Sequence, residues 1–455
     1  MMMQAHEENV WKATLGIAEA YLAAEAGGAC LDARTPEQLL AEVPFGLPEE
    51  GLALEDWVDR LKQVMAATPS SSSPRFVNQL FGGRIPEAVA ADMLALLANS
   101  SMYTFKAAGA QVLVEQAVLG RLLTAAGMSG GEGSFVPGGS AANLAAMLMA
   151  RNRAVPASRD SGMGGVRGTV YTSVESHYSI RKNAGILGLG RKHVRLIPVT
   201  GAGRMDVPAL DAAIAADLRN GFVPVLVNAT AGTTVRGAFD DIAATGAVAH
   251  KYGVWLHVDG ALGATVLLSP KWQHLMEGLA AADSLAWNPH KMMGLALQTS
   301  VVLVREQGLL AGSLDETADY LFQSHADDFN PGHRSLLCGR RNDALRLWSA
   351  WCRIGDRGWE QRVDRQMALA AYAAERIRVG PQLALLEPPP LINVCFNRVG
   401  VPAEAVCTAL DRYGEIKIGY GQVGETTGIR LVCANPEIGE AGIDVILDRC
   451  LKVDV

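Results

Sequence analysis

A lysine directly follows a histidine in Trp287-Asn288-Pro289-His290-Lys291, at the end of the apolar run Ser284-Leu285-Ala286-Trp287. The setting suits a partly buried amine better than a solvated cation, because burial lowers the pKa of an amine and leaves it nucleophilic. Upstream, Asp259 ends a second apolar run, Val254-Trp255-Leu256-His257-Val258. The segment between them, Pro270 to Leu279, reads as a helix. Strand, helix, strand with a crossover connection puts Asp259 and Lys291 at the carboxyl ends of parallel strands, where open α/β sheets build their sites.

Three further pieces belong with this pair. Gly138-Gly139-Ser140 leads into the helical stretch Leu144–Arg151. A glycine-rich helix start offers amide donors and the positive end of the helix dipole to an anion. His177 follows the strand-like Gly168-Thr169-Val170-Tyr171 and opens another helix, which makes it a candidate to stack on a flat ring. The run Asn228-Ala229-Thr230-Ala231-Gly232-Thr233-Thr234, after the strand Val223–Val227, brings hydroxyls to the same sheet edge. An amine, a carboxylate, a phosphate cradle and a stacking group are together what pyridoxal 5'-phosphate needs: lysine for its aldehyde and an acid for its ring nitrogen.

From Pro74 to about Trp351 the chain resembles the pyridoxal-phosphate-dependent group II amino-acid decarboxylases. The matching pieces are Pro74–Leu80, Pro137–Ser140, Ser176–Ser179, Thr230–Thr234, His257–Asp259, Asn288–Gly294 and Cys338–Arg341. Asn288–Gly294 and the Phe76-Val77-Asn78-Gln79-Leu80 element are most similar to the glutamate and cysteine sulfinate branch. The resemblance implies an α/β protein of fold type I, like aspartate aminotransferase. It also implies a large, mostly parallel seven-stranded sheet domain, a small C-terminal α+β domain and an N-terminal helical segment.

The same resemblance implies roles. Lys291 would bond the cofactor aldehyde and Asp259 would partner the pyridinium nitrogen. His177 would stack on the ring, and Thr234 would lie near Asp259. Ser140, Ala141 and Asn288 would hold the phosphate, and His290 would line the site beside the lysine. Arg430, in Gly428-Ile429-Arg430-Leu431-Val432, matches the arginine that grips the substrate α-carboxylate and so selects the bond that breaks. Asn78 and Gln79 resemble a pocket for the substrate side chain.

Three departures from the family pattern stand out. Gly260-Ala261-Leu262 follows Asp259 where two alanines and an aromatic are usual, and Gly260 is expected to remove a methyl beneath the ring. Lys106, in Met102-Tyr103-Thr104-Phe105-Lys106, replaces an acid near the expected pocket entrance and favours an anionic substrate. After Tyr320-Leu321-Phe322-Gln323 comes a short loop without the tyrosine that reprotonates Cα in relatives. His325 or His333 could donate that proton. Alternatively, decarboxylation could end in oxidation, transamination or bond formation at Cα or Cβ.

Composition agrees with an enzyme. The chain has 455 residues, 49% of them hydrophobic, enough for a large core and more than one domain. A net charge of −7 without blocks of like charge argues against a nucleic-acid partner. The apolar windows are amphipathic or too short to span a bilayer, and the first residues do not read as a signal peptide. Seven cysteines lack metal or disulfide spacing and read as reduced thiols of a cytoplasmic protein. No metal site is expected.

The expected organisation is an N-terminal helical segment over 1–74, which swaps across a homodimer in the family. A large cofactor-binding domain over 75–345 and a small domain over 346–455 follow. The expected reaction is α-decarboxylation of an L-amino acid with an acidic side chain: glutamate, aspartate, cysteine sulfinate, cysteate or a phosphonate analogue.

Overall fold

The structure, a computed structural model, describes residues 2–27, 30, 32–316, 329–414 and 416–455. Contacts divide the chain into two compact units. One comprises residues 84–371 with 389–393, and the other 1–83, 372–388 and 394–455.

The larger unit is built on seven strands: β1 (Glu132–Phe135), β2 (Gly168–Ser173), β3 (Val194–Ile197), β4 (Val223–Thr230), β5 (Trp255–Asp259), β6 (Ser284–Trp287) and β7 (Val301–Val304). Their order is β1-β7-β6-β5-β4-β2-β3. Only β7 runs against its neighbours, pairing antiparallel with β1 and β6. This is the expected mostly parallel α/β sheet. Every residue of β2, β5, β6 and β7 is buried, which is why these strands read as continuous apolar runs rather than alternating ones.

Helices Gly139–Ala154, Ser179–Ile186, Val207–Arg219 and Ile242–Lys251 connect strands of this sheet. Two of them begin at an aspartate cap: Asp206 accepts from Ala209 N and Asp241 from Ala244 N, each at 2.9 Å. Such caps satisfy amides that the first helical turn leaves unpaired and contribute about 1 kcal/mol each.

The connection from β5 to β6 departs from the sequence expectation. Instead of a helix over 270–279, three short 3₁₀ turns fill it, Gly263–Leu268, Gln273–Met276 and Leu279–Ala281. Gly278 explains the break. It adopts φ +91°, and a Cβ there would stand 2.3 Å from the backbone nitrogen of Ala243. The chain must therefore leave helical geometry to pack against the helix Ile242–Lys251. A long helix runs from Ala344 to Val379 and is kinked at Gly355. No described helix is long and apolar enough to cross a membrane.

The smaller unit carries four strands, β8 (Leu383–Leu385), β9 (Asn393–Arg398), β10 (Gly419–Val423) and β11 (Thr426–Val432), in the order β10-β11-β9-β8. Helices Ala403–Tyr413 and Gly439–Lys452 accompany the sheet, and the N-terminal helices Met2–Gly27, Pro36–Glu42 and Leu54–Ala66 belong to the same unit.

Candidate active site

The carboxyl ends of β4, β5 and β6 meet in register: Thr230 pairs with Asp259, and Asp259 with Ala286. Beyond β6 the chain turns tightly at Pro289, with Lys291 N donating to Asn288 O and Gly294 N to Lys291 O, each at 2.9 Å. Gln366 Nε2 anchors this turn by donating to Met292 O at 3.0 Å. The turn returns Lys291 to the sheet edge. A single cavity is lined by Ser140, His177, Thr234, Asp259, Asn288 and Lys291. Six positions chosen from sequence thus converge on one chamber.

Electrostatics in this chamber favour reactive, neutral bases. Burial pulls the Lys291 amine below the usual lysine range, while the negative charge of Asp259 opposes the shift. Burial likewise lowers His177, with Asp259 opposing and Lys291 reinforcing. His177 is half-buried, and its Nδ1 lies 2.8 Å from Ser179 Oγ.

The chamber fits a phosphorylated pyridoxal. Gly139 starts the helix, and a Cβ there would stand 2.6 Å from Asn288 Nδ2, so only glycine leaves the carboxamide its place. The buried Oδ1 of Asn288 and Oγ1 of Thr230, both on lining residues, have no hydrogen-bond partner among the described residues. Buried polar atoms without partners are rare. A polar ligand at this helix N-terminus would satisfy them.

Other expected site residues stand elsewhere. Ala141 is outside the lining, and its amide already donates to Gly138 O at 3.0 Å. His290 is buried and also outside the lining, with Nδ1 donating to Thr299 O at 2.7 Å. Burial pushes its pKa down to about 4, so the ring is neutral near pH 7. Lys106 is exposed on the four-residue helix Phe105–Ala108, whose cap is Thr104.

The expectation for Gly260 needs correcting. A methyl there would press on Leu285 Cδ1 at 2.8 Å and Ala264 Cβ at 2.9 Å, inside the packing behind the strands. The cavity wall next to Asp259 is Ala261. The missing methyl therefore follows from close packing of β5 on β6 and does not enlarge the chamber.

In the smaller unit, residues 75–77 run beside Lys417, with Val77 N donating to Lys417 O at 2.8 Å and Lys417 N to Arg75 O at 3.0 Å. This brings Asn78 to Arg430, whose Nη2 donates to Asn78 O at 2.5 Å. His333 sits 2.8 Å from Asp315 Oδ1 through Nδ1, while His325 lies outside the described residues.

Sequence reading missed Asn143, Tyr178, Thr230 and Ala261 as lining residues. Asn143 had a usable signal, since it stands one helical turn beyond Gly139 and so shares its face. Thr230 is the last residue of β4, level with Asp259. The Tyr178 ring lies against His177 with centroids 4.2 Å apart.

Comparison with known proteins assigns the class. The family model described as the pyridoxal-dependent decarboxylase conserved domain matches residues 36–399, and the chain belongs to that family. Cysteine sulfinic acid decarboxylase of Mus musculus is 37% identical over 439 residues, covering 91% of this chain and 89% of that protein. Glutamate decarboxylase of Drosophila melanogaster is 34% identical over 444 residues, covering 92% and 87%. The crystal structure of mouse CSAD matches with a TM-score of 0.95 at 34% identity over 98% of both chains. The protein is an amino-acid decarboxylase, and its cofactor is pyridoxal phosphate.

Proposed function

We propose that the protein removes the α-carboxyl group of an L-amino acid with an acidic side chain, releasing the amine and carbon dioxide. One observation carries the reading: Lys291, Asp259 and His177 line a single cavity in a chain of the pyridoxal-dependent decarboxylases. The acidic side chain is supported by relatives named for cysteine sulfinic acid and glutamate.

Bound pyridoxal phosphate supplies an electron sink for the pair left at Cα when carbon dioxide departs. Lys291 Nζ would hold the cofactor aldehyde, and Asp259 would keep a proton at the ring nitrogen. His177 would cover one face of the ring and leave the other to the substrate, with Thr234 beside it. Ser140 and Asn288 would hold the phosphate, and His290 would support the lysine turn. Arg430 would orient the α-carboxylate so that the Cα–carboxyl bond stands perpendicular to the ring. Asn78, Gln79 and Lys106 would meet the acidic side chain.

The working form in this proposal is a cytoplasmic homodimer, with segment 1–74 exchanged between subunits beside domains over 75–345 and 346–455. Leu94, Leu96 and Leu97 of the helix Pro86–Ala98 are each more than half exposed, an apolar patch that suits a partner surface. None of the seven cysteines forms a disulfide and five of them are buried, which suits a reducing compartment.

Incubation with cysteine sulfinate, cysteate, glutamate and aspartate, with carbon dioxide counted and the product weighed by mass spectrometry, tests the reading. The expected product is the corresponding amine. Release from aromatic but not acidic amino acids would overturn the substrate class.

A further inference from the structure

A run of buried hydrogen bonds leads along one face of β5 to the cavity. Trp255 Nε1 donates to Ser284 Oγ at 2.8 Å, and Ser284 Oγ lies 2.8 Å from His257 Nδ1. His257 Nε2 lies 2.9 Å from Asn143 Oδ1, and Asn143 Nδ2 donates to Asp259 Oδ2 at 2.9 Å. Trp255, Ser284, His257 and Asn143 are all buried.

Donor and acceptor chemistry fixes the direction of each bond. The reverse setting of the Asn143 amide would press its oxygen against a carboxylate, so Nδ2 faces Asp259 and Oδ1 faces His257. An amide oxygen only accepts, so His257 Nε2 carries the hydrogen. Burial keeps the imidazole neutral, so Nδ1 accepts from the Ser284 hydroxyl. Trp255, a donor only, fills the oxygen of Ser284. Every hydrogen in the series points towards Asp259.

Asn143 is also a fork. Its Nδ2 donates to Ser179 Oγ at 3.0 Å, and that hydroxyl then gives its own hydrogen to His177 Nδ1, 2.8 Å away. The backbone N–H of Ser179 meets the same nitrogen at 3.2 Å. The neutral His177 ring therefore carries its hydrogen on Nε2.

We propose that Asn143 and His257 are positioning residues for the decarboxylation, a one-way relay that holds Asp259 as an acceptor and sets the tautomer of His177. The inference rests on the reading of Asp259 as partner of the cofactor ring nitrogen. His257 is not part of the cavity lining and acts only through Asn143. The titratable groups facing Asp259 are His177, His257 and Lys291.

The test uses the full-length holoenzyme and the variants His257→Leu, His257→Gln and Asn143→Ser. Three quantities are read: affinity for pyridoxal phosphate by its absorbance, the pH profile of kcat/KM, and the thermal midpoint. In His257→Leu the Asn143 amide loses the donor that fixes its setting, its hydrogen bond to the carboxylate loosens, and the acid limb moves up by about one pH unit. Cofactor affinity in the same variant falls about tenfold. His257→Gln restores both, because its amide can donate to Asn143 and accept from Ser284. A His257→Leu enzyme with a lowered thermal midpoint but wild-type affinity and pH profile would overturn the relay. Should that variant fail to fold, an unmoved acid limb in Asn143→Ser overturns it equally. Wild-type protein that takes up no pyridoxal phosphate sinks the parent reading together with this one. Normal wild-type loading with unmoved variants sinks the relay alone.

Discussion

Arg430 and Asn78, far apart in sequence, are joined by a hydrogen bond from the guanidinium Nη2 to the Asn78 carbonyl. The contact is tight on its other side too, since a Cβ at Gly419 would lie 2.1 Å from Asn78 Oδ1. Two residues expected to read opposite ends of the substrate are therefore set by one piece of backbone. In Arg430→Ala we expect kcat/KM to fall by about 100-fold, the loss of a charge-assisted pair. The absorbance of bound cofactor should stay as in the wild type. Unchanged steady-state kinetics would remove Arg430 from substrate binding.

Lys291 is the only residue we expect to become covalently labelled when the holoenzyme is reduced with borohydride. Peptide mapping should find the added mass there, and Lys291→Ala should lose more than about 1,000-fold in kcat. Label at another lysine would refute the assignment.

Lys106 is exposed, and in the proposed reading it would act through its charge. Lys106→Glu should raise KM for an acidic amino acid by about tenfold and leave that for a neutral analogue within twofold. Equal changes for both substrates would show that the charge does not select.

His257 and His290 are both held neutral by burial, each with its pKa pushed down to about 4 from an ordinary 6.5. The unfolded chain thus binds more protons than the folded one between those values, so stability decreases as pH falls through that window. Above about pH 6.5 both states are neutral at these rings and no pH slope arises from them. The thermal midpoint should be level above neutrality and drop between pH 6.5 and 4. His290→Gln should flatten that drop in calorimetry.

Leu94 and Leu97 supply a check on assembly. Leu94→Glu with Leu97→Glu should shift the sedimenting species from dimer towards monomer at micromolar concentration, because charged side chains are disfavoured at the centre of an interface. A wild-type protein that sediments as a monomer would refute the dimer.

Much of the site could be read from residue order. Asp259 and Lys291 each end or follow an apolar run, and parallel strands bury both faces, so strand ends stand out as the points where apolar runs stop. Glycines before Ser140 marked a helix start whose amides could face an anion. What escaped was the material whose role depends on tertiary geometry. The helix expected at 270–279 failed because Gly278 must approach Ala243, a contact invisible in local periodicity. Gly260 was misread because side chains alternate faces along and just beyond a strand, so the residue next to Asp259 points away from the chamber and Ala261 faces it. His257 and Asn143 were unremarkable as letters. Their importance comes from partners in other elements.

The tight quarters of Gly260 bear on any attempt to retune this enzyme for bulkier or smaller amino acids. A library that varies position 260 would press on Leu285 and Ala264 instead of changing the room in the chamber. Position 261 is the tunable wall, where side-chain size changes the room beside Asp259 without disturbing the seam behind it.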